Sequence, residues 1–289
     1  MTRPDNAKIA ITGATGRIGG RIARRMAAAG AIQRMTVRHP DRAPQLPGAT
    51  AVRCAYGDRD TPSALEGIEV LFMVSASESP DRLSRHEAFV DAAAEAGVRH
   101  VVYLSFFGAA PDAVFTLARD HWATEQHIRD SGLSFTFLRD NFYADFMPAL
   151  VGEDGVIRGP AGNGRAAVVA QDDIADAATA VLLNAAKHAG RTYDMTGPQS
   201  LSMTGISGIL SAATGRTITY HPETVEEAYR SRASYGVPNW QVDAWVSTYT
   251  AIAAGQLDGV SDDLPRLIGR AATPLADVIR VVPPNAQKG

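Results

Sequence analysis

The sequence predicts an α/β protein: a doubly wound parallel sheet followed by a smaller α+β cap. Three observations predict it. Short apolar runs alternate with helical patterns through the first half, which is the signature of a parallel sheet with crossover helices. A glycine turn, Gly13-Ala14-Thr15-Gly16-Arg17-Ile18-Gly19, joins the first apolar run to the first helical pattern. Beyond Asn141 the alternation loosens into a glycine-crowded loop and then mixed elements. The 289 residues hold one large domain or two small ones, and 45% apolar content is enough for a core.

The first strand is Ile9-Ala10-Ile11, and the first helix runs from Ile18 to Ala29. The second strand is Arg34 to Val37. The third is Ala51 to Cys54, ended by Gly57-Asp58. The fourth is Val70 to Val74. A helix from Leu83 to Ala96 carries Leu83, Phe89, Val90 and Ala93 on one stripe, and Gly97 stops it. The fifth strand is His100 to Leu104, then a helix from Leu117 to Asp130, then a sixth strand from Ser134 to Leu138. Such an order reads as Rossmann-like, with ligands expected outside the carboxyl ends of the strands. Glycines from 152 to 164 suggest a short hairpin. Asp172-Asp173 is expected to cap a helix from Ile174 to Leu183, and Thr192 to Met195 resembles one more strand. The tail is expected to hold helices near 203–214, 225–233, 240–254 and 274–281, with a strand at 217–220. The expected division is a nucleotide-binding domain of residues 1–150 with 166–196 returning to it. Residues 151–165 and 197–289 would then form a substrate cap.

Strand, glycine turn and helix start in that order make a phosphate cradle. The first N–H groups of a helix are unpaired, and its dipole favours an anion there. Gly13 permits the tight turn, Gly16 lets backbone approach a pyrophosphate, and Gly19 lets helix pack on strand. The nucleotide is read at the end of the second strand. A sheet that binds NAD usually places a carboxylate there for the ribose 2′-hydroxyl. Here the chain reads Val37-Arg38-His39-Pro40. A guanidinium suits a 2′-phosphate, and Arg17 in the turn adds a second cation. NADP(H) is therefore the expected cofactor; the bland alternative is two solvated arginines. Asp58 is placed to meet the adenine or is a plain turn residue. Ser75, after the fourth strand, joins the expected cofactor set.

The net charge is −3, with no basic block, so nucleic acid is not an expected partner. No apolar stretch is long enough for a bilayer, and no signal peptide is read at the start, so the expectation is a cytoplasmic protein with no membrane partner. Cys54 is the only cysteine, which excludes an intrachain disulfide and a cysteine metal cluster, and no metal is expected. The only lysines are Lys8, Lys187 and Lys288, so the centre of the chain offers no catalytic lysine.

The glycine turn, Val37-Arg38-His39-Pro40, Gly57-Asp58 and Val102-Tyr103-Leu104-Ser105 together resemble the NmrA-like atypical short-chain dehydrogenases. Leu138-Arg139-Asp140-Asn141-Phe142-Tyr143, Asp172-Asp173-Ile174-Ala175 and Gly269-Arg270 with Pro274-Leu275 extend the resemblance. Within that group, Ala118-Arg119-Asp120-His121-Trp122-Ala123-Thr124-Glu125 is similar to type-2 NAD(P)H:quinone oxidoreductases and triphenylmethane dye reductases. Extended short-chain dehydrogenases carry Tyr-x-x-x-Lys-x-x-x-Glu, in which the tyrosine is the acid/base. On the register of Glu125, the lysine position is His121 and the tyrosine position is Leu117. Leucine cannot transfer a proton, so alcohol dehydrogenation by that route is not expected.

The resemblance implies hydride delivery to a carbon that is already electrophilic, as in a quinone or cationic dye. His121 is the candidate proton donor, because its reference pKa lies near neutrality, or it is a satisfied helix histidine. Tyr143 is a second catalytic candidate. The resemblance puts Ser105 at the family's serine position and in the expected cofactor-binding set; without the tyrosine it can only orient a substrate by hydrogen bonding. Phe106, Asn141, Phe142 and Tyr143 are the expected substrate residues, with core packing the alternative for Phe142. The partner is a small electrophile, and the assembly a monomer or homodimer. The competing reading is a non-catalytic, NADP-sensing regulatory protein of the NmrA type.

Overall fold

The computed structural model describes residues 8–281. In chain order the regular elements are β1 (Ile9–Thr12), α1 (Arg17–Ala28), β2 (Gln33–Val37), β3 (Ala49–Arg53), α2 (Thr61–Leu65), β4 (Val70–Met73), α3 (Arg82–Glu95) and β5 (His100–Phe106). Then come α4 (Thr116–Asp130), β6 (Ser134–Asp140), β7 (Val156–Gly159), β8 (Arg165–Ala166), α5 (Gln171–Leu183), β9 (Arg191–Met195) and β10 (Leu201–Ser202). The chain closes with α6 (Met203–Thr214), β11 (Thr219–Pro222), α7 (Val225–Arg232), α8 (Asn239–Ala253), α9 (Asp263–Ile268) and α10 (Leu275–Val281).

The chain divides into two compact units. Of the described residues, the first comprises 8–105, 120–139 and 174–193. Its sheet has seven strands in the order β3-β2-β1-β4-β5-β6-β9. β1 pairs in parallel with both β2 and β4. The strand order therefore reverses at β1, and the crevice between the carboxyl ends of β1 and β4 is the topological switch point. β9 joins alongside β6, the Gly190 N–H donating to the Phe135 carbonyl. It is the seventh strand, which the sequence suggested only as an extra one. The core of this unit packs Leu71, Met73, Phe89, Val101, Tyr103 and Phe137. Every residue of β5 is buried, so its apolar run has no period of two, as befits a strand covered on both faces.

Of the described residues, the second unit comprises 106–119, 140–173 and 194–281. It is larger than the cap expected from sequence. Residues 106–119, 140–150 and 166–173 belong to it because Phe106, Ala113, Ala144, Met147, Val168 and Ala170 pack into its core. The expected hairpin forms as a tight turn at 151–157, where Val151 bridges Ile157 antiparallel and the Gly152 N–H donates to the Val156 carbonyl, and the rest of the region pairs with later strands. β7 pairs in parallel with β11, and β8 pairs antiparallel with β10.

The start of α5 differs from expectation for a readable reason. Asp172 and Asp173 lie in its first turn and are not its cap. The Gln171 N–H donates to Asp145 Oδ2 at 2.9 Å instead. Asp173 is fully buried and accepts from Arg270 Nη2 (2.7 Å), Thr273 N–H (2.6 Å) and Thr273 Oγ1 (2.8 Å). This acid fastens the 270–273 segment, which joins two of the sequence blocks that carried the family resemblance. No helix among the described residues is long and apolar enough to cross a membrane.

Candidate functional site

In the first unit the site begins at the switch point. Gly13 follows β1 at φ +64°, a conformation that favours glycine, and a Cβ there would meet Val74 at 3.6 Å. The turn after β1 thus lies against the end of β4. The Gly16 N–H closes the turn on the Gly13 carbonyl at 2.8 Å. A Cβ at Gly19 would stand 2.4 Å from the Gly13 carbonyl oxygen, so only glycine lets α1 pack this closely. α1 starts at Arg17 with no side-chain cap and no acidic residue in its first turn. Its dipole therefore presents a positive end that no side chain of the cap neutralises. This cradle fits the pyrophosphate of a dinucleotide.

At the end of β2, Arg38 is exposed and makes no ion pair or side-chain hydrogen bond among the described residues. Asp58 is exposed in the turn after β3, its carboxylate 4.0 Å from Arg53. Its backbone carbonyl accepts from the Thr61 N–H, so the turn role is evident in the fold. Ser75 is half-buried just beyond β4.

The next residue, Ala76, is held at both ends of its backbone by α3. Its N–H donates to His86 Nε2 at 2.8 Å, and its carbonyl accepts from Arg82 Nε at 3.3 Å. Behind them runs a buried polar network. His86 Nδ1 lies 2.8 Å from Thr124 Oγ1. Arg82 also donates to Asp120 Oδ2 at 3.0 Å and bonds His121 Nε2 at 2.9 Å. His121 Nδ1 lies 2.9 Å from the Tyr103 hydroxyl.

This geometry corrects the role expected for His121. A guanidinium only donates, so Nε2 accepts from Arg82 and the single ring proton sits on Nδ1, toward Tyr103. His121 is 7% exposed, and its pKa is held well below 6.5, first by burial and then by Arg82, His86 and Arg139. At neutral pH it has no spare proton. Ser105 is corrected likewise. It is fully buried and donates to Glu125 Oε1 at 2.5 Å. Glu125 in turn takes both arms of Arg139, at 2.8 and 2.6 Å. The Ser105 hydroxyl proton is spent inside the unit and is not offered at the strand's end.

In the second unit, two expected substrate residues prove to be structural. Phe106 lies in the core against Phe115, with ring centroids 5.0 Å apart. Asn141 is buried with both ends of its amide used. Nδ2 donates to the Leu257 carbonyl at 3.0 Å, and Oδ1 accepts the Phe142 N–H at 2.7 Å. Phe142 is half-buried and packs on the same core. Tyr143 is half-buried, and its hydroxyl donates to Asp140 Oδ2. Asp140, at the carboxyl end of β6, is 4% exposed, and burial pushes its carboxyl up to about 8, against the pull of the Tyr143 bond. Burial, then Asp140, raises the Tyr143 phenol well above its usual value.

Sequence reasoning missed Asp140, Arg82, His86 and Tyr103. Asp140 carried a faint signal, a carboxylate directly after the apolar run of a sheet strand. The other three are set by tertiary packing and carried none. A shallow depression of about 280 Å³ in the second unit is lined by Arg158, His221, Glu223, Glu227, Arg230 and Ser231. Its arginines and Glu223 are already ion-paired, and no expected site residue lines it.

The switch-point turn and the uncapped helix define the class: a Rossmann-like α/β protein with a dinucleotide-type cradle. The chain belongs to the NmrA-like family, whose profile matches residues 5–244. It is 32% identical to an NAD(P)H azoreductase of Xenophilus azovorans over 276 residues, covering 93% of this chain and 96% of that protein. An NADPH-dependent quinone oxidoreductase of Escherichia coli, solved with NADPH, superposes with a TM-score of 0.85 at 32% identity, covering 94% and 98%. The triphenylmethane reductase of a Citrobacter species, solved with NADP(H), gives 0.83 at 30% identity, covering 94% and 99%.

Proposed function

We propose that this protein is an NADPH-dependent reductase of quinone-like or otherwise electrophilic conjugated small molecules. The observation that carries the cofactor half is the uncapped start of α1 behind the Gly13–Gly16 turn. The substrate half is supported by the full-length likeness to azo, quinone and dye reductases. When bound, the cofactor supplies hydride. The backbone N–H groups from Gly13 to Gly19, Ala14 and Thr15 included, would hold its pyrophosphate. Arg38 and Arg17 would hold a 2′-phosphate, and Asp58 and Ser75 would flank the dinucleotide. Preference for NADPH over NADH follows from Arg38, because a guanidinium donates two charge-assisted bonds to a phosphate and the strand end holds no carboxylate.

The substrate must be electrophilic in its own right. Leu117 stands where the family's tyrosine would be, and His121 where its lysine would be, neutral and enclosed. The chain's share is then positioning and exclusion of water. Phe142 and Tyr143 are the residues proposed to meet a flat substrate. The test is NADPH consumption with a simple benzoquinone, against controls lacking protein or quinone. Saturable, protein-dependent oxidation supports the reductase. Binding of NADPH without turnover of quinones, azo compounds or dyes refutes it and favours the sensing protein.

A further inference from the structure

We propose that Tyr56, Arg82 and His86 are positioning residues for the dinucleotide: they clamp the backbone on either side of Ser75, and NADPH binds against the clamped loop. The inference rests on the dinucleotide cradle and extends it to the residues that shape it from behind. Every residue in it belongs to the first unit.

The polar groups of residues 74–76 carry the inference. These residues follow β4 at its carboxyl end, beside the switch point, where a loop ordinarily gives its N–H and carbonyl groups to water. Here side chains take them. The Val74 N–H donates to Thr12 Oγ1, at the end of β1, at 2.8 Å. The Val74 carbonyl accepts from the Tyr56 hydroxyl, which also lies 3.1 Å from Thr12 Oγ1. The Ala76 N–H donates to His86 Nε2, and the Ala76 carbonyl accepts from Arg82 Nε. Ser75, between them, makes no hydrogen bond among the described residues through its N–H, its carbonyl or its hydroxyl. Its polar groups are the ones this loop leaves for a ligand, at the strand end where such sheets bind one.

The clamp is itself held. Because Nε2 accepts from Ala76, the ring proton of His86 sits on Nδ1 and donates to Thr124 Oγ1 at 2.8 Å. The Thr124 hydroxyl donates onward to the Asp120 carbonyl at 2.7 Å. Arg82 is 3% exposed and also donates to Asp120 and His121. The Tyr56 ring lies on Phe89, with centroids 4.1 Å apart, and edge-on to His86 at 6.0 Å, so the two sides of the clamp touch. Burying a guanidinium and an imidazole to serve two backbone groups that water could serve has a desolvation cost. It leaves the loop in one conformation before the ligand arrives, which removes an ordering cost from binding.

The experiment compares the wild type with His86→Leu, His86→Gln, Tyr56→Phe and a control, His100→Leu. His100 is buried at the first position of β5, at the opposite end of the sheet, and bonds Thr136 at 2.9 Å. The readouts are the Kd for NADPH by fluorescence, the amide NMR signals of Ser75 and Ala76, and urea unfolding. NADPH should shift the Ser75 amide of the wild type. His86→Leu and Tyr56→Phe should each weaken NADPH by roughly tenfold, and His86→Leu should speed exchange of the Ala76 amide in cofactor-free protein. His86→Gln, which keeps an acceptor for Ala76, should retain wild-type affinity. His100→Leu should lose stability with its Kd unchanged. If His86→Leu does not fold, Tyr56→Phe and His86→Gln decide. An unchanged Kd in Tyr56→Phe and His86→Leu overturns the clamp, as does an equal loss of affinity in His100→Leu. A wild type that binds no NADPH overturns the cradle, and the clamp with it.

Discussion

Acid stability tests the buried network behind Ala76. His86 is fully buried, accepts the Ala76 N–H at 2.8 Å, and has its pKa pushed down from 6.5 to about 3, by burial first and by Arg82 second. The unfolded chain takes up a proton at this site near 6.5, and the folded chain does not until about 3. Between those values the unfolded state binds more protons, so stability falls as pH falls from about 6.5. At pH 5 the gap is about one and a half pH units, and the site alone removes about 2 kcal/mol relative to pH 7. Asp140 acts in the opposite sense. Its raised carboxyl stabilises the fold most below the ordinary carboxylate range, and that contribution is lost as pH rises through about 8. The assay is therefore a difference. Urea unfolding at pH 7 and pH 5 is compared between the wild type and His86→Gln, which keeps an acceptor for Ala76 but cannot titrate. The variant should lose about 2 kcal/mol less than the wild type on acidification. Equal losses would refute a neutral, enclosed His86.

Arg38→Ala should weaken NADPH roughly tenfold to a hundredfold, while leaving NADH nearly unchanged, as read by fluorescence titration; charge-assisted bonds set that scale. Gly19→Ala puts a Cβ 2.4 Å from the Gly13 carbonyl oxygen, where backbone must move. It should cost about 1–3 kcal/mol in thermal unfolding and weaken both dinucleotides together. Asp173→Ala strips the acceptor from Arg270 and both donors of Thr273. It should destabilise by roughly 2–4 kcal/mol, while Asp173→Asn, which keeps one acceptor oxygen, should cost less, as read by calorimetry.

The parts of the fold legible in sequence were those with short-range causes. The strand–turn–helix at Gly13–Gly19 declares itself because its glycines answer local needs, a positive φ at Gly13 and close packing at Gly19. Thr224 and Glu227 form a full capping box at α7, a short-range feature of the same kind. The boundary between units follows packing and not the chain, so the alternation of elements does not mark it. Phe106 lies inside a sheet strand yet belongs to the second core. Residue roles were least legible. His121 and Asn141 have the chemistry of a site residue, and only their partners show that this chemistry is used up internally.

The fate of the family's acid–base positions is itself an argument about mechanism. A lysine at position 121 would put a charge within the first unit, where it could depress a neighbouring phenol. Here the cation on that face is Arg82, and all three of its bonds point elsewhere: to the Ala76 carbonyl, Asp120 and His121. His121 bonds the Tyr103 phenol, which is wholly buried and pushed above its usual range. Between α3 and α4 the chain thus keeps the polar residues of an acid–base site but wires them as a brace. That brace fixes the backbone beside Ser75 by both its N–H and its carbonyl. The helix stretch that the resemblance aligns with an acid–base pair serves here to hold the backbone that follows β4.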